Sequence, residues 1–266
     1  MPWVLVPLFS YLPVFAAVLF RIGGLVMTAP IYGSRTIPLR IRAALAVAVA
    51  ASITPLLVAS APSQLSLSAL LLAALAELGI GALIGISLGI VIMAAEVAGT
   101  IAGQQAGLAL SHVVDPTLGE EISVLGQIYT VTITLVFLAI GGHRAAMAAV
   151  LDSYRLIPLF SFRMEESAIL LLVQSLTAAF ILGIRLAGPV LIALFLSGTA
   201  MAFLSRTMPQ LNILSVGFTL RTLLVLGCAG LALDGAQEIL VNGIYEAFAR
   251  VDGLFGTDSL RALSVD

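Results

Sequence analysis

The chain has 266 residues, 61% of them hydrophobic and 10% charged, with a net charge of −2. A soluble domain carries about 25% charged residues. A mean hydropathy of +1.15 therefore places this sequence among polytopic membrane proteins and argues against nucleic-acid binding. The single cysteine, Cys228, excludes an intrachain disulfide, and the two distant histidines, His112 and His143, form no Cys/His cluster for a metal.

Residues 8–29 are the first apolar segment, interrupted by Arg21. A charge at that depth should face protein or water and not lipid. The preceding residues lack a basic n-region, so the segment reads as a retained first span and not as a cleaved signal. Residues 29–42 contain Pro30, Gly33 and Pro38 and predict a turn. Arg35, Arg40 and Arg42 make it the densest basic cluster in the chain, which the positive-inside rule assigns to the cytoplasm. Residues 43–76 carry no charge, and Pro55, Pro62 and several serines predict a turn between two spans there.

The stretch 70–115 is the most patterned. Gly81, Gly85 and Gly89 are followed by Gly99, Gly103 and Gly107. Eighteen residues separate the two sets, which is five turns at about 3.6 residues per turn. In a continuous helix all six lie on a stripe roughly 80° wide, with Glu96 on the same stripe. A stripe without side chains lets another backbone approach, so this face predicts a helix–helix seam. A helix over 69–110 would be about 60 Å long, roughly twice the hydrocarbon core, and must bend, break or extend beyond it.

The loop at 104–121 is base-free, with Asp115, Glu120 and Glu121. Its middle, 108–114, is too apolar for a freely solvated loop and too short for a span. Residues 122–142 are uncharged and long enough to cross a membrane, with Thr130, Thr132 and Thr134 expected to bond their own backbone. Residues 143–166 are polar. Residues 167–205 are apolar except for Arg185, and Gly188-Pro189 predicts a kink or an end to the helix. Pro209 should end a helix, with Asn212 or Ser215 capping the next. Residues 222–233 form the last apolar run and 234–251 an amphipathic segment in which Ile239, Leu240, Ile244 and Phe248 oppose Glu238, Asn242 and Arg250. The expected organisation is one helical membrane domain, 1–251, and a short, loosely held tail, 252–266.

Nothing in this order makes an enzyme. Ser111 and His112 are mere neighbours, and no phosphate loop, dinucleotide fingerprint or other cofactor motif is present. What remains is a set of intramembrane charges, Arg21, Glu77, Glu96, Arg185 and Arg221. They are either paired structural charges at seams or an ion or substrate pathway. One alternative from the residues alone is a secondary transporter for a small solute, with a helix broken at Gly188-Pro189 and Glu96 as proton carrier.

An ordered series of motifs covers most of the chain. It runs from Arg21-Ile22-Gly23 through Ala29-Pro30-Ile31 and residues 37–42 to Glu96, Gly99, Gln104, Gln105, Ala106 and Gly107. Asp115-Pro116 and Gly142-His143 follow, then Arg206, Pro209, Gln210, Leu211, Asn212, Gly217 and Phe218. This series resembles the FliR/SctT family of type III export-gate proteins, and Gly217-Phe218 leans toward its flagellar branch. Thr219 departs from the proline that flagellar members often carry there. The resemblance implies an all-α inner-membrane subunit of tilted, kinked helical hairpins at the flagellar basal body. It also implies partners of the FliP, FliQ and FlhB types, and unfolded flagellar proteins as cargo. It further implies a pore plug in the loop that holds Gln104, Gln105, Gly107, Leu108, Leu110, His112, Val113, Asp115 and Pro116.

Overall fold

The long apolar runs become helices, because a backbone in lipid must satisfy its polar groups within the segment itself. A computed structural model describes residues 5–34, 36–58, 66–107, 124–161, 166–208, 213–255 and 259–263 of the chain. Among these, seven α-helices follow in order: α1 (Leu5–Thr28), α2 (Leu39–Leu57), α3 (Leu67–Gln105), α4 (Val124–Ala139), α5 (Gly142–Leu156), α6 (Glu166–Thr207) and α7 (Ile213–Phe255). A short 3-10 helix, Ser259–Ala262, closes the series, and the described residues contain no strand. Helices α1, α2, α3 and α6 are long and apolar enough to cross a membrane, and α4 with α5 would make a fifth, bent span. The protein is an all-α polytopic membrane protein.

Several boundaries differ from the sequence-based expectation. The span expected at 122–142 is the 16-residue α4, which bends by 64° into α5. Two adjacent glycines make the corner: Gly141 has φ 75°, and a Cβ on Gly142 would sit 2.7 Å from the Phe137 ring. Helix α6 neither breaks nor ends at Gly188-Pro189 but continues for 42 residues with Pro189 inside it. A proline removes one backbone bond, which a long apolar helix tolerates. The helix break expected at Gly188-Pro189 is therefore absent. The last apolar run and the amphipathic segment form one helix, α7, of 43 residues. Pro209 and Asn212 lie outside the described residues.

The described part of the tail is packed rather than loose. The Asp252 carboxylate accepts the Ser259 and Leu260 backbone N–H groups at 3.2 Å and the Ser259 hydroxyl at 2.5 Å. Ser259 and Leu263 are buried, and the 3-10 helix packs on α5.

The chain divides into two compact units. The first comprises Met1–Ile90, Phe137–Leu176 and Ile244–Asp266. Its core takes Val14, Val18 and Ile22 from α1, Ile80 and Ile84 from α3, Ala149 and Val150 from α5, and Ile244 and Phe248 from α7. Phe248 stacks on Phe137 with centroids 6.2 Å apart. The second unit comprises Val91–Val136 and Thr177–Gly243. Its core gathers Ala102, Ala106, Leu125, Val190, Leu194 and Val225, with Cys228 packed against them as a small residue.

Within α3 the glycine stripe serves two seams. In the first unit it meets α1: a Cβ on Gly81 would collide with the Arg21 carbonyl and lie 2.9 Å from the Leu25 nitrogen, and one on Gly85 would lie 2.7 Å from the Ala29 nitrogen. Gly24 answers from α1, where a Cβ would lie 2.8 Å from the Ala82 nitrogen. Gly89 is in ordinary contact, 3.4 Å from the Thr28 carbonyl. In the second unit the stripe meets α4, where a Cβ on Gly99 would lie 2.6 Å from the Leu125 carbonyl oxygen. Gly103 is buried, while Gly107 lies past the helix end with φ 84° and so leaves the stripe.

Gly79 has open space where Gly81 has backbone, so the two form a matched pair. Gly79→Ala should raise stability by up to about 1 kcal/mol through helix propensity. Gly81→Ala should cost about 1–3 kcal/mol or more, because the seam must open. Thermal unfolding of the detergent-solubilised chain measures both, and a Gly81→Ala midpoint at or above wild type would show that the seam is not tight.

Candidate functional site

The most constrained polar site lies in the first unit. Arg21 is fully buried on α1, and Glu77 is fully buried on α3, one turn before Gly81. The Arg21 Nε donates to Glu77 Oε2 in a charge-assisted bond. Arg21 also donates to the Ser153 hydroxyl and the Ile157 carbonyl, each at 3.1 Å, and its guanidinium lies 4.4 Å from the centre of the Tyr154 ring. The second Glu77 oxygen accepts the Phe160 N–H at 3.2 Å. Phe160 has φ 68°, a strained conformation for a non-glycine residue, so this bond helps to hold the turn after α5 in place. Tyr154 completes the group by donating to the Val18 carbonyl at 3.4 Å.

Local sequence explains the assembly. The glycine seam brings the two backbones close enough for a side chain on α1 to reach one on α3. Ser153, Tyr154 and Ile157 project from the last turn of α5 and the residue after it. The site can bind charge and fix geometry. It offers no nucleophile with a base beside it, and the described residues contain no group of ligands able to hold a metal.

A second polar contact braces the turn before α2. Tyr32 donates its hydroxyl to the His143 carbonyl at 3.1 Å, and burial pushes the Tyr32 phenol above its ordinary value, so it remains a donor. Arg42 donates to the Ile37 carbonyl at 2.9 Å and the Ser34 carbonyl at 2.5 Å. Arg40 is exposed, and Arg35 lies outside the described residues.

The other intramembrane charges differ from Arg21 and Glu77. Glu96 is half-buried and has no ion-pair partner among the described residues. It lies along α3 between the part of the stripe that α1 covers and the part that α4 covers. Arg185 and Arg221 are exposed on this chain and not buried in it. The Arg221 guanidinium lies over Gly198. Of the five intramembrane charges, Arg21 and Glu77 meet each other. Ser153 and the Ile157 carbonyl were missed, and a serine or a backbone oxygen leaves no sequence signal for such a role.

Of the loop residues, Gln104 and Gln105 are exposed at the end of α3, and the Gly107 N–H donates to the Gln104 carbonyl at 3.0 Å. Leu108, Leu110, His112, Val113, Asp115 and Pro116 lie outside the described residues, as does Gln210. Arg206 is exposed in the last turn of α6, and Gly217 and Phe218 are on α7 with Phe218 exposed. Thr132 and Thr134 donate to the backbone carbonyls four residues earlier.

Comparison with known proteins agrees with this architecture. Residues 12–247 match the model of the family described as bacterial export proteins, family 1. The chain is 31% identical to the flagellar biosynthetic protein FliR of Escherichia coli over 211 residues, 79% of this chain and 80% of that protein. It is 30% identical to FliR of Bacillus subtilis over 79% of this chain and 82% of that one. The surface presentation of antigens protein SpaR of Shigella flexneri is 32% identical over 56% of this chain and 58% of that protein. These relatives lend nothing to a small-solute transporter.

The Arg21–Glu77 site makes an asymmetric prediction. Glu77→Gln leaves a buried guanidinium that cannot deprotonate, whereas Arg21→Met leaves a carboxylate that can take up a proton. Glu77→Gln should therefore cost about 3–5 kcal/mol and Arg21→Met less, with much of the loss recovered when Met replaces both residues. Unfolding midpoints of the three variants in detergent measure this, and additive losses in the double variant would refute direct pairing.

Proposed function

The chain belongs to the bacterial export proteins, family 1, and on that premise we propose that it is a subunit of the flagellar type III protein export gate. The family match, which covers residues 12–247, carries this reading. The FliR relatives, aligned over about four-fifths of both chains, support the flagellar branch. The subunit forms part of the path by which unfolded flagellar proteins leave the cytoplasm. It resides in the inner membrane at the basal body and assembles with FliP- and FliQ-type subunits, with an FlhB-type protein docking on the result. It performs no bond chemistry; energy comes from its partners and the proton-motive force.

The loop over 104–121 closes the pore. Its apolar middle excludes water and ions as a hydrophobic constriction does, and Gly107, at φ 84°, supplies a hinge at its entry. The turn that carries Arg35, Arg40 and Arg42 faces the cytoplasm.

Deleting the gene from its native host should abolish secretion of flagellar subunits, and the restored wild-type chain should co-purify with the FliP- and FliQ-type proteins. Normal secretion after deletion would overturn the function. Removing residues 108–114 should leave the complex assembled while raising ion conductance in bilayer recordings; background conductance from an assembled complex would end the plug assignment. For topology, a Cys228→Ala chain carrying Ser34→Cys should resist an impermeant thiol reagent added outside spheroplasts. Ready labelling would reverse the orientation.

A further inference from the structure

Helix α6 presents an unusual surface. It carries no charge from Ser167 to Ile184 or from Leu186 to Ser205, with Arg185 between the two runs. The outward face is apolar and open on both sides of Arg185: Phe180 is 66% exposed, Ile184 70%, Ile192 64% and Phe195 74%. Arg185 is itself exposed, and among the described residues it has neither hydrogen bond nor ion pair.

Two length arguments limit what can cover this face. The helix extends 19 residues before Arg185 and 22 after it. That is about 28 and 33 Å, so each apolar run is long enough to cross a hydrocarbon core by itself. Along its axis α6 measures about 63 Å. Even tilted by about 40° it exceeds the roughly 30 Å of a hydrocarbon core. Whichever apolar run lies in lipid, part of the other projects beyond it, where exposed phenylalanines and isoleucines need protein cover. Arg185 stands at the junction of the two runs, so the cover reaches it in either placement. A cation that cannot deprotonate, set in an apolar face that excludes water, requires an anion from what covers it.

We propose that the face of α6 around Arg185 is a subunit interface, covered by an apolar helix of another protein chain that carries an aspartate or glutamate level with Arg185. The proposal rests on the reading of this chain as one subunit of an assembled gate, and it adds the face, the chemistry of the partner and the anchoring residue.

The test uses the full chain, expressed with its native operon. A photo-crosslinking phenylalanine analogue is placed at Ile184 or Ile192, and Arg185→Met is made separately. The expected cross-link joins α6 to an apolar helix of a second subunit, with an acidic residue within about one turn of the mapped site. Arg185→Met should lower the fraction of chain in the large complex on native gels roughly tenfold, without lowering the abundance of the chain. Neutralising the mapped acid should restore much of that fraction. Cross-links to lipid alone, or to a helix with no acid nearby, would overturn the proposal, as would an Arg185→Met chain that assembles like wild type. Labelling of Arg185→Cys, in a Cys228→Ala background, by a water-soluble maleimide in the assembled complex would instead place the residue in an aqueous lumen and also overturn it. A wild-type chain that enters no larger complex would mean that the gate reading itself fails.

Discussion

Arg21 has no exposure to solvent, so everything around it has to accommodate a buried guanidinium. Glu77 neutralises it, Ser153 and the Ile157 carbonyl take further N–H groups, and the Tyr154 ring covers it. This places elements of α1, α3 and α5 at fixed distances from one another. The pair depends in turn on the glycine seam. The Arg21 carbonyl occupies the space that a Cβ at Gly81 would fill, and Glu77 lies one turn before Gly81 on the same face of α3. The seam brings the backbones together, and the ion pair sets their register. A buried pair of this kind adds little stability over an apolar substitute, but it tolerates no slippage of one helix along the other, since any shift would strand a charge.

The same pair reaches into the connection between α5 and α6. Glu77 uses its second oxygen on the N–H of Phe160, whose φ of 68° needs such support. The Phe160 backbone is thereby held in the turn that follows α5. The packed 3-10 helix, secured by Asp252 and resting on α5, braces the same unit.

The second unit is built on another principle. Its described core is a small cluster around Leu125, Val190, Leu194 and Val225. Its charges, Glu96, Arg185 and Arg221, find no ion pair among the described residues, and long apolar faces of α6 remain open. In a monomeric membrane protein such charges would be costly. The first unit pairs its buried Arg21 and Glu77 with each other, whereas these three charges of the second meet no such partner among the described residues.

Much of the fold was legible in the sequence, because hydropathy and helical period act locally. The apolar runs around Arg21 and Arg185, the fourth-residue glycines and the amphipathic face of Leu240, Ile244 and Phe248 are read directly from spacing, and in lipid an apolar run has little choice but to be helical. The family followed from an ordered series of short motifs. What spacing could not settle was partnership. Five intramembrane charges look alike as letters, yet Arg21 and Glu77, 56 positions apart, meet in the core while Arg185 faces outward. Nor could spacing show that one glycine stripe serves two different helices, that Pro189 leaves its helix unbroken, or that Gly141 turns an apparent span through 64°. Each of these depends on which surfaces come into contact once the chain has folded, and contact at long sequence separation leaves no local pattern to read.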